Sequence, residues 1–315
     1  MGMRNVINLN KDWAFIQQNA GLPKEMPSDW EHVDLPHTWN AVDGHDGNGS
    51  YDRGTYWYAK TFETPKQPLG NGKVYVEILA AGQQATVYVN GKEMIYHEGG
   101  YSTFRVDITD VCKEEGDNLL VVACSNELKD SVYPQSADFT FYGGIYRDVT
   151  LLTVSNSHFD LDYFGGPGIR LIPKVKGQMG ELTAESYIKG TFETVRWKVL
   201  DQSGEQVADM DGASCQMEIP NVHLWDGIAD PYLYTVRAEL IHNGNVADCV
   251  EQKIGFRSFH FDSEKGFFLN GRSYPLHGVS RHQDWKEIGN AITTEHHDKD
   301  MALIREIGAN SIRLA

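Results

Sequence analysis

The sequence predicts a mainly β protein: two β-sandwich domains followed by the opening of an α/β domain. Three observations carry this. Apolar and polar residues alternate over short runs through the first two-thirds of the chain. Clusters of Asn, Gly and Asp interrupt those runs at short intervals, as in all-β folds. No long amphipathic helix pattern precedes residue 290, and one begins soon after it. With 315 residues, 41% hydrophobic and 23% charged, the chain can bury real cores in two or three domains without disulfide staples.

The first domain is expected over residues 1–155. Residues 73–79 and 85–89 alternate as half-buried strands, and the Asn90-Gly91 that follows the second is a type I′ hairpin signal. Residues 118–123 are a near-continuous apolar run, the pattern of a buried strand, and residues 147–152 are expected as another strand. Gly165-Gly166-Pro167-Gly168 marks the boundary. A second domain is expected over residues 168–259. There, strands at 195–200 and 234–240 are closed by turns at 201–204 and 242–245. Short strands over about 100 residues suggest an immunoglobulin-like sandwich, although the Cys–Trp–Cys signature of antibody domains is not met.

The pattern changes over residues 260–315. Asn270-Gly271 closes a small hairpin, and residues 274–279 are expected as a strand. Thr294 is expected to cap a helix that has Glu295 and Asp298 in its first turn. Met301, Ile304 and Ile307 share one face of it, and Gly308 ends it. Residues 310–314 start another strand, completing a β-α-β unit. One such unit leaves both strands short of partners, so it is expected to be the start of a larger α/β domain. Leu269, Leu276, Val279, Ile304, Ile307, Ile312 and Leu314 are then expected to form an apolar patch prone to self-association.

Charge narrows the partners. Lys and Arg total 28 against 44 Asp and Glu, a net charge of −16. Nucleic acid and anionic membrane surfaces are therefore not expected partners, whereas a neutral sugar is unaffected. No apolar run is long enough to cross a bilayer as a helix, and the start lacks an apolar signal core. The compartment stays open, cytoplasmic or periplasmic in a bacterium. Cys112, Cys124, Cys215 and Cys249 show no Cys-x-x-Cys pair and are expected as free buried thiols.

Three segments carry a family likeness. The first is Leu35-Pro36-His37-Thr38-Trp39-Asn40, with Tyr51-Asp52-Arg53-Gly54-Thr55-Tyr56-Trp57-Tyr58 downstream. The second runs from Asp138 through Tyr142-Gly143-Gly144-Ile145-Tyr146-Arg147-Asp148 to Val149. The third joins Phe268-Leu269-Asn270-Gly271 to Leu276-His277-Gly278-Val279-Ser280-Arg281-His282, and ends at Ile307-Gly308-Ala309-Asn310-Ser311-Ile312-Arg313. In this order the three resemble glycoside hydrolase family 2, the β-galactosidase and β-glucuronidase group. The resemblance implies a jelly-roll, galactose-binding-like sandwich, then the immunoglobulin-like sandwich, then the truncated start of a (β/α)8 barrel. It implies retaining hydrolysis by two carboxylates about 5 Å apart. In the family both are glutamates on barrel strands four and seven, and neither is expected within residues 1–315. Asn126-Glu127 matches the family's acid/base dipeptide in letters only.

The resemblance also implies site residues. Asp138 would contact sugar hydroxyls and a sodium ion, for which a carboxylate suits both tasks; a turn aspartate is the plainer alternative. Asn40 would offer its amide to the sugar, beside the reading of an Asx-turn residue. His282, just after the first barrel strand, would help hold the sugar at the transition state. Arg281 is either a sugar contact or a structural ion-pair partner. Gln283 stands where the family usually has Glu. Trp285 is a sugar-stacking candidate beside a packing role, and the aromatic run at 56–58 is read as a core strand rather than a sugar platform. His296, His297, Asp298 and Asp300 are read as a solvated helix face rather than a metal site.

The expected function is therefore the N-terminal part of a retaining β-galactosidase, with a β-galactoside as partner. Arg281 before His282 favours galactoside over glucuronide. The alternatives are a β-glucuronidase or other β-glycosidase, and a non-catalytic carbohydrate-binding module. No cofactor is required; sodium or magnesium and a homo-oligomeric state are expected of the complete enzyme.

Overall fold

The computed structural model describes residues 4–43, 46–47, 50–66, 72–133 and 139–314. The chain forms two compact units, and each draws on separated stretches of sequence. One holds Asn5–Thr153 together with His282–Lys299. The other holds Arg4, Val154–Arg281 and residues 300–314.

The first unit is the jelly-roll sandwich. Its strands are β1 (Asn5–Asn8), β2 (Trp13–Ile16), β3 (Glu31–Val33), β4 (Thr55–Glu63), β5 (Lys73–Ile78), β6 (Gln84–Val89), β7 (Lys92–Glu98), β8 (Phe104–Asp107), β9 (Asp117–Ser125) and β10 (Val149–Val154). One sheet has the order β1-β10-β5-β8 and the other β3-β2-β4-β9-β6-β7. Alternation sends Val74, Val76 and Ile78 of β5 inward, against Trp13, Phe15, Tyr58 and Val122 of the facing sheet. The six-stranded sheet is covered on its other face too, where Ala14, Trp57, Ala59 and Val121 pack with Met26 and Trp30. That double cover explains why β9 is apolar at successive positions rather than alternate ones. Asn90 and Gly91 both have positive φ, 51° and 80°, as the expected type I′ turn requires. The Asn90 amide then bonds to Val111 and Asn118, pinning the hairpin to β9.

The second unit contains the immunoglobulin-like sandwich. After β11 (His158–Phe159) come β12 (Ile169–Lys176), β13 (Met179–Ser186), β14 (Ile188–Lys189), β15 (Thr194–Leu200), β16 (Gln206–Asp211), β17 (Ser214–Ile219), β18 (Tyr234–His242) and β19 (Asn245–Ile254). A three-stranded sheet, β12-β13-β17, and a four-stranded sheet, β16-β15-β18-β19, share a core built on Trp197, Leu182, Val236 and Phe256. Trp197 is fully buried, and its indole N–H donates to Gly212 O at 2.7 Å, so the ring's one polar atom is satisfied. All four cysteines are free thiols; only Cys124 is buried, and the other three are half-buried.

The strands of the α/β region and the second half of its helix belong to the same unit, whereas His282–Lys299 belongs with the first. A small sheet of β20 (Phe259–Asp262), β21 (Gly266–Leu269) and β22 (Arg272–Ser273) turns at Asn270-Gly271. Then β23 (Gly278–Arg281) is joined through α1 (Thr294–Glu306) to β24 (Ser311–Leu314), and the two strands pair in parallel. Two expectations shift here. The strand expected from residue 274 starts only at Gly278. Pro275 has no N–H to give a ladder, and the Asn310 side chain takes up Pro275 O and His277 N instead. The cap expected at Thr294 falls on Thr293, whose carbonyl accepts from His296 N and His297 N. Gly308 ends α1 as expected, with φ 79° and the paired bonds Ala309 N to Ile304 O and Gly308 N to Arg305 O. Of the expected apolar patch, Leu276, Ile307 and Leu314 are exposed, but Leu269 is 2% exposed and belongs to the interior.

His37 shows how tightly the first sandwich is closed. Its Nδ1 lies 2.7 Å from the Tyr58 hydroxyl, and Phe15 packs on its ring. Burial lowers its pKa from the ordinary 6.5 to about 4. The folded state therefore prefers the neutral ring, while the unfolded chain takes up a proton below about 6.5. This contribution is fully present above that pH and is lost as pH falls toward 4. Urea unfolding at pH 7.5 and pH 5 should show a loss of about 2 kcal/mol from this group. His37→Gln should remove that part of the pH dependence. An identical pH profile in the variant would refute the assignment.

Candidate functional site

The loops at one edge of the jelly-roll sandwich are organised by two buried amides. Asn40 and Asn126 are both fully buried. Asn40 Nδ2 donates to Asp43 Oδ2 at 2.6 Å and to Asp52 O at 2.8 Å. Its Oδ1 accepts from Asn126 Nδ2 at 3.1 Å and Gly143 N at 2.7 Å. Every donor and acceptor of that side chain is thus used within the protein. Asn126 Nδ2 also lies 2.9 Å from Asp52 O and 3.0 Å from Phe141 O, and its Oδ1 accepts from Gly54 N. Asn126 is therefore a structural hub, and Asn126-Glu127 matches a catalytic dipeptide in letters only.

Around these amides the loop at 139–148 is pressed close to its neighbours. A Cβ on Gly143 would overlap the Trp39 indole. At Gly144 (φ 115°) a Cβ would sit 2.5 Å from His37 O. Only glycine fits either position, which gives the Gly143-Gly144 pair its physical reason. Arg53 lies over the Phe141 ring at 5.1 Å and donates to Asn126 O. Asp52 accepts from the Tyr56 hydroxyl at 2.9 Å. Burial, then this carboxylate, pushes the Tyr56 pKa up to about 12.

The segment after β23 belongs to this unit. The His282 ring is half-buried and lies 6.0 Å from the Phe139 ring. Its imidazole makes no hydrogen bond to another described residue. Residues 285–289 close a tight turn, in which Trp285 N donates to Gly289 O and Gly289 N to Trp285 O, both at 2.9 Å. The turn rests on the sandwich through Gly289, where a Cβ would meet the Tyr142 ring at 2.6 Å. The Tyr142 hydroxyl donates to Asp284 Oδ2 at 3.1 Å. Burial, then the Asp284 charge, raises the Tyr142 pKa. Arg147 donates to Asn290 O at 2.6 Å and to Gln283 Oε1 at 2.5 Å, and its guanidinium stacks on Tyr146 at 4.9 Å.

The four residues singled out from the sequence have separate fates. His282 and Asn40 fall in one unit, linked through Gly143, Tyr142 and Asp284. Arg281 falls in the other, where its Nε and Nη2 bind Asp300 Oδ2 at 2.8 and 2.5 Å, tying β23 to α1. Asp138 lies outside the described residues, so no donor set for a sodium ion can be assembled around it. Among the described residues no group of three or more His, Cys, Asp or Glu side chains is placed to hold a metal. Trp285 packs edge-on against His296 at 4.9 Å, with Lys299 over its ring. Tyr142 and Arg147, which reach the segment after β23, were not singled out from the sequence. Their signal was the Tyr-Gly-Gly-Ile-Tyr-Arg run itself, in which two adjacent glycines announce close approach.

Asn40→Ala should cost about 3 kcal/mol of stability in urea unfolding, because it strands Gly143 N in the interior and removes the amide that joins Asp43, Asp52 and Asn126. A sugar contact without this structural role would lose less than about 0.5 kcal/mol in the absence of ligand.

Three domain models match the chain in succession. "Glycosyl hydrolases family 2, sugar binding domain" covers residues 45–155, "Glycosyl hydrolases family 2" covers 174–257, and "Glycosyl hydrolases family 2, TIM barrel domain" covers 262–315. A β-glucuronidase of Bacteroides fragilis is 37% identical over 99% of this chain and 46% of its own length. A β-galactosidase of Thermoanaerobacter pseudethanolicus is 28% identical over 98% of this chain and 43% of its own length. The crystal structure of an FMN-binding β-glucuronidase from Facaelibacterium prausnitzii L2-6 is 46% identical, with a TM-score of 0.93 over 100% of this chain and 49% of that one. The chain thus spans about half the length of these relatives. Their names weigh toward the glucuronidase alternative over the galactosidase expectation. The Arg281 discriminator behind that expectation is a residue bonded to Asp300. With three successive models of one family along its length, and with the fold those models describe, the chain belongs to glycosyl hydrolase family 2.

Proposed function

We propose that this chain supplies the sugar-binding sandwich and the first barrel strand of a retaining β-glucuronidase. The single observation that carries the substrate is the 46% identity and 0.93 TM-score to a β-glucuronidase over the whole of this chain. The geometry supports a glycosidase role for His282. It stands at the C-terminal end of a barrel strand, where barrel enzymes carry their chemistry. Its imidazole is half-buried beside Phe139 and has no hydrogen bond to another described residue. In this role an unprotonated ring nitrogen accepts from a sugar hydroxyl, which becomes a better donor as positive charge builds on the ring carbon. Cleavage itself belongs to the family's two glutamates, which are not within residues 1–315. The chain's own contribution is to bind and orient.

A free-standing binding module fits less well. Such a module needs an exposed aromatic platform. The run at 56–58 does not offer one, since Trp57 and Tyr58 are buried and Tyr56 packs on Trp39 with its hydroxyl on Asp52. The β-galactosidase relative at 28% identity sustains a second reading, with galactose in the same site.

Hydrolysis of nitrophenyl β-glucuronide and β-galactoside by this chain, and by a polypeptide in which the reading frame continues past Ala315, tests the proposal. The longer polypeptide should cleave the glucuronide with a kcat/KM about a hundredfold or more above the galactoside. The first-formed sugar should be the β anomer by NMR, and residues 1–315 should be inactive. A preference for galactoside selects the second reading. Cleavage by residues 1–315 alone refutes both.

A further inference from the structure

The sandwich does more at this edge than border the site. We infer that Arg147 and Tyr142 of the jelly-roll unit are positioning residues, which clamp residues 283–290 and thereby set the place of His282. The inference rests on the functional reading above for His282's role, but the clamp itself stands on geometry.

Three contacts define it. Arg147 uses its two terminal nitrogens on two points seven residues apart in the chain, Gln283 Oε1 and Asn290 O. The span between them is closed on itself by the Trp285–Gly289 pair, so fixing its ends fixes all of it. Tyr142 adds a hydroxyl bond to Asp284 and a ring face on which Gly289 sits without room for a Cβ. His282 directly precedes the first clamped residue, and its own ring touches only Phe139 among the described aromatic residues. No hydrogen bond to another described residue fixes the imidazole, so its placement depends on the neighbouring backbone. The fork geometry matters. A guanidinium offers two parallel donors from a rigid plane, whereas a lysine ammonium is one point on a flexible stem. Arg147 is itself steadied by stacking on Tyr146 and by its bond to Tyr146 O. A gap of the order of an ångström at a transition-state contact is enough to cost a large factor in rate.

The test uses the longer polypeptide carrying Arg147→Met, Arg147→Lys, Tyr142→Phe, His282→Asn, and Arg147→Met with His282→Asn. Hydrogen exchange reads the clamp without substrate. The amides of Trp285, Ile288 and Gly289 should exchange on the order of tenfold faster in Arg147→Met, with intermediate values in Arg147→Lys and Tyr142→Phe. Kinetics read the consequence. Arg147→Met should lower kcat on the order of 10- to 100-fold while KM moves less than about threefold. In the double variant, loss of Arg147 should cost little beyond His282→Asn alone, because the first residue acts through the second. Additive losses would overturn the route through His282 and leave the glycosidase reading intact. Unchanged exchange in Arg147→Met would overturn the clamp whatever the activity. If the unsubstituted polypeptide hydrolyses no glycoside, the functional reading fails, and faster exchange in Arg147→Met still upholds the clamp. Arg147→Lys separates these outcomes from unfolding, since it keeps charge and bulk and should keep the thermal midpoint.

Discussion

The amide pair of Asn40 and Asn126 is the constraint on which this edge of the protein depends. Four loops with no regular ladder between them converge there. A segment without a ladder must find other partners for its N–H and C=O groups, or leave them stranded in the interior. Two asparagines do this because an amide offers donors and acceptors in one plane. Asn40 joins its own loop to Asp52 and Gly143, and Asn126 joins the end of β9 to Gly54 and Phe141. An aspartate in either place would lose the donors, and a leucine would lose everything. The glycines at 143 and 144 follow from the same geometry, since the loop so held lies flush on Trp39 and His37.

The neighbouring residues Arg281 and His282 divide two tasks. Arg281 spends its charge on Asp300, which fixes the parallel strand to its crossover helix. His282 takes no such partner and sits beside an aromatic ring. A strand end at which one side chain secures the scaffold and the next is left open suits a site that needs rigid support under a few uncommitted polar groups.

Much of the fold was legible in the sequence because it rests on local rules. Asn90-Gly91, Asn243-Gly244 and Asn270-Gly271 each form a turn with both φ values positive, and the alternation at 234–240 sets the inward face of β18. The strand at 274–277 failed for a non-local reason: Asn310, far along the chain, intercepts the bonds a ladder would use. The site was less legible for the same cause. Asn40 could be marked as polar and near the motif, but nothing local says that its four bonds end on residues 43, 52, 126 and 143. Arg147 looked like the first residue of a strand, and its reach to residues 283 and 290 is set by the fold alone. Arg281 was open between two roles until Asp300 was placed beside it.

The clamp also has a history in time. Arg147 and Gln283 are 136 residues apart. At about 5–20 residues per second, a ribosome delivers the second roughly 7–27 s after the first. The ten strands of the sandwich have all emerged by Val154, so the jelly roll can close while the surface that receives residues 283–290 faces only water. To that finished surface the later segment arrives as a tethered ligand. Its local concentration is set by the intervening chain and not by the amount of protein in the cell. A sugar-binding module cut at residue 155, where the matched domain model ends, would be a receptor separated from part of its own compact unit.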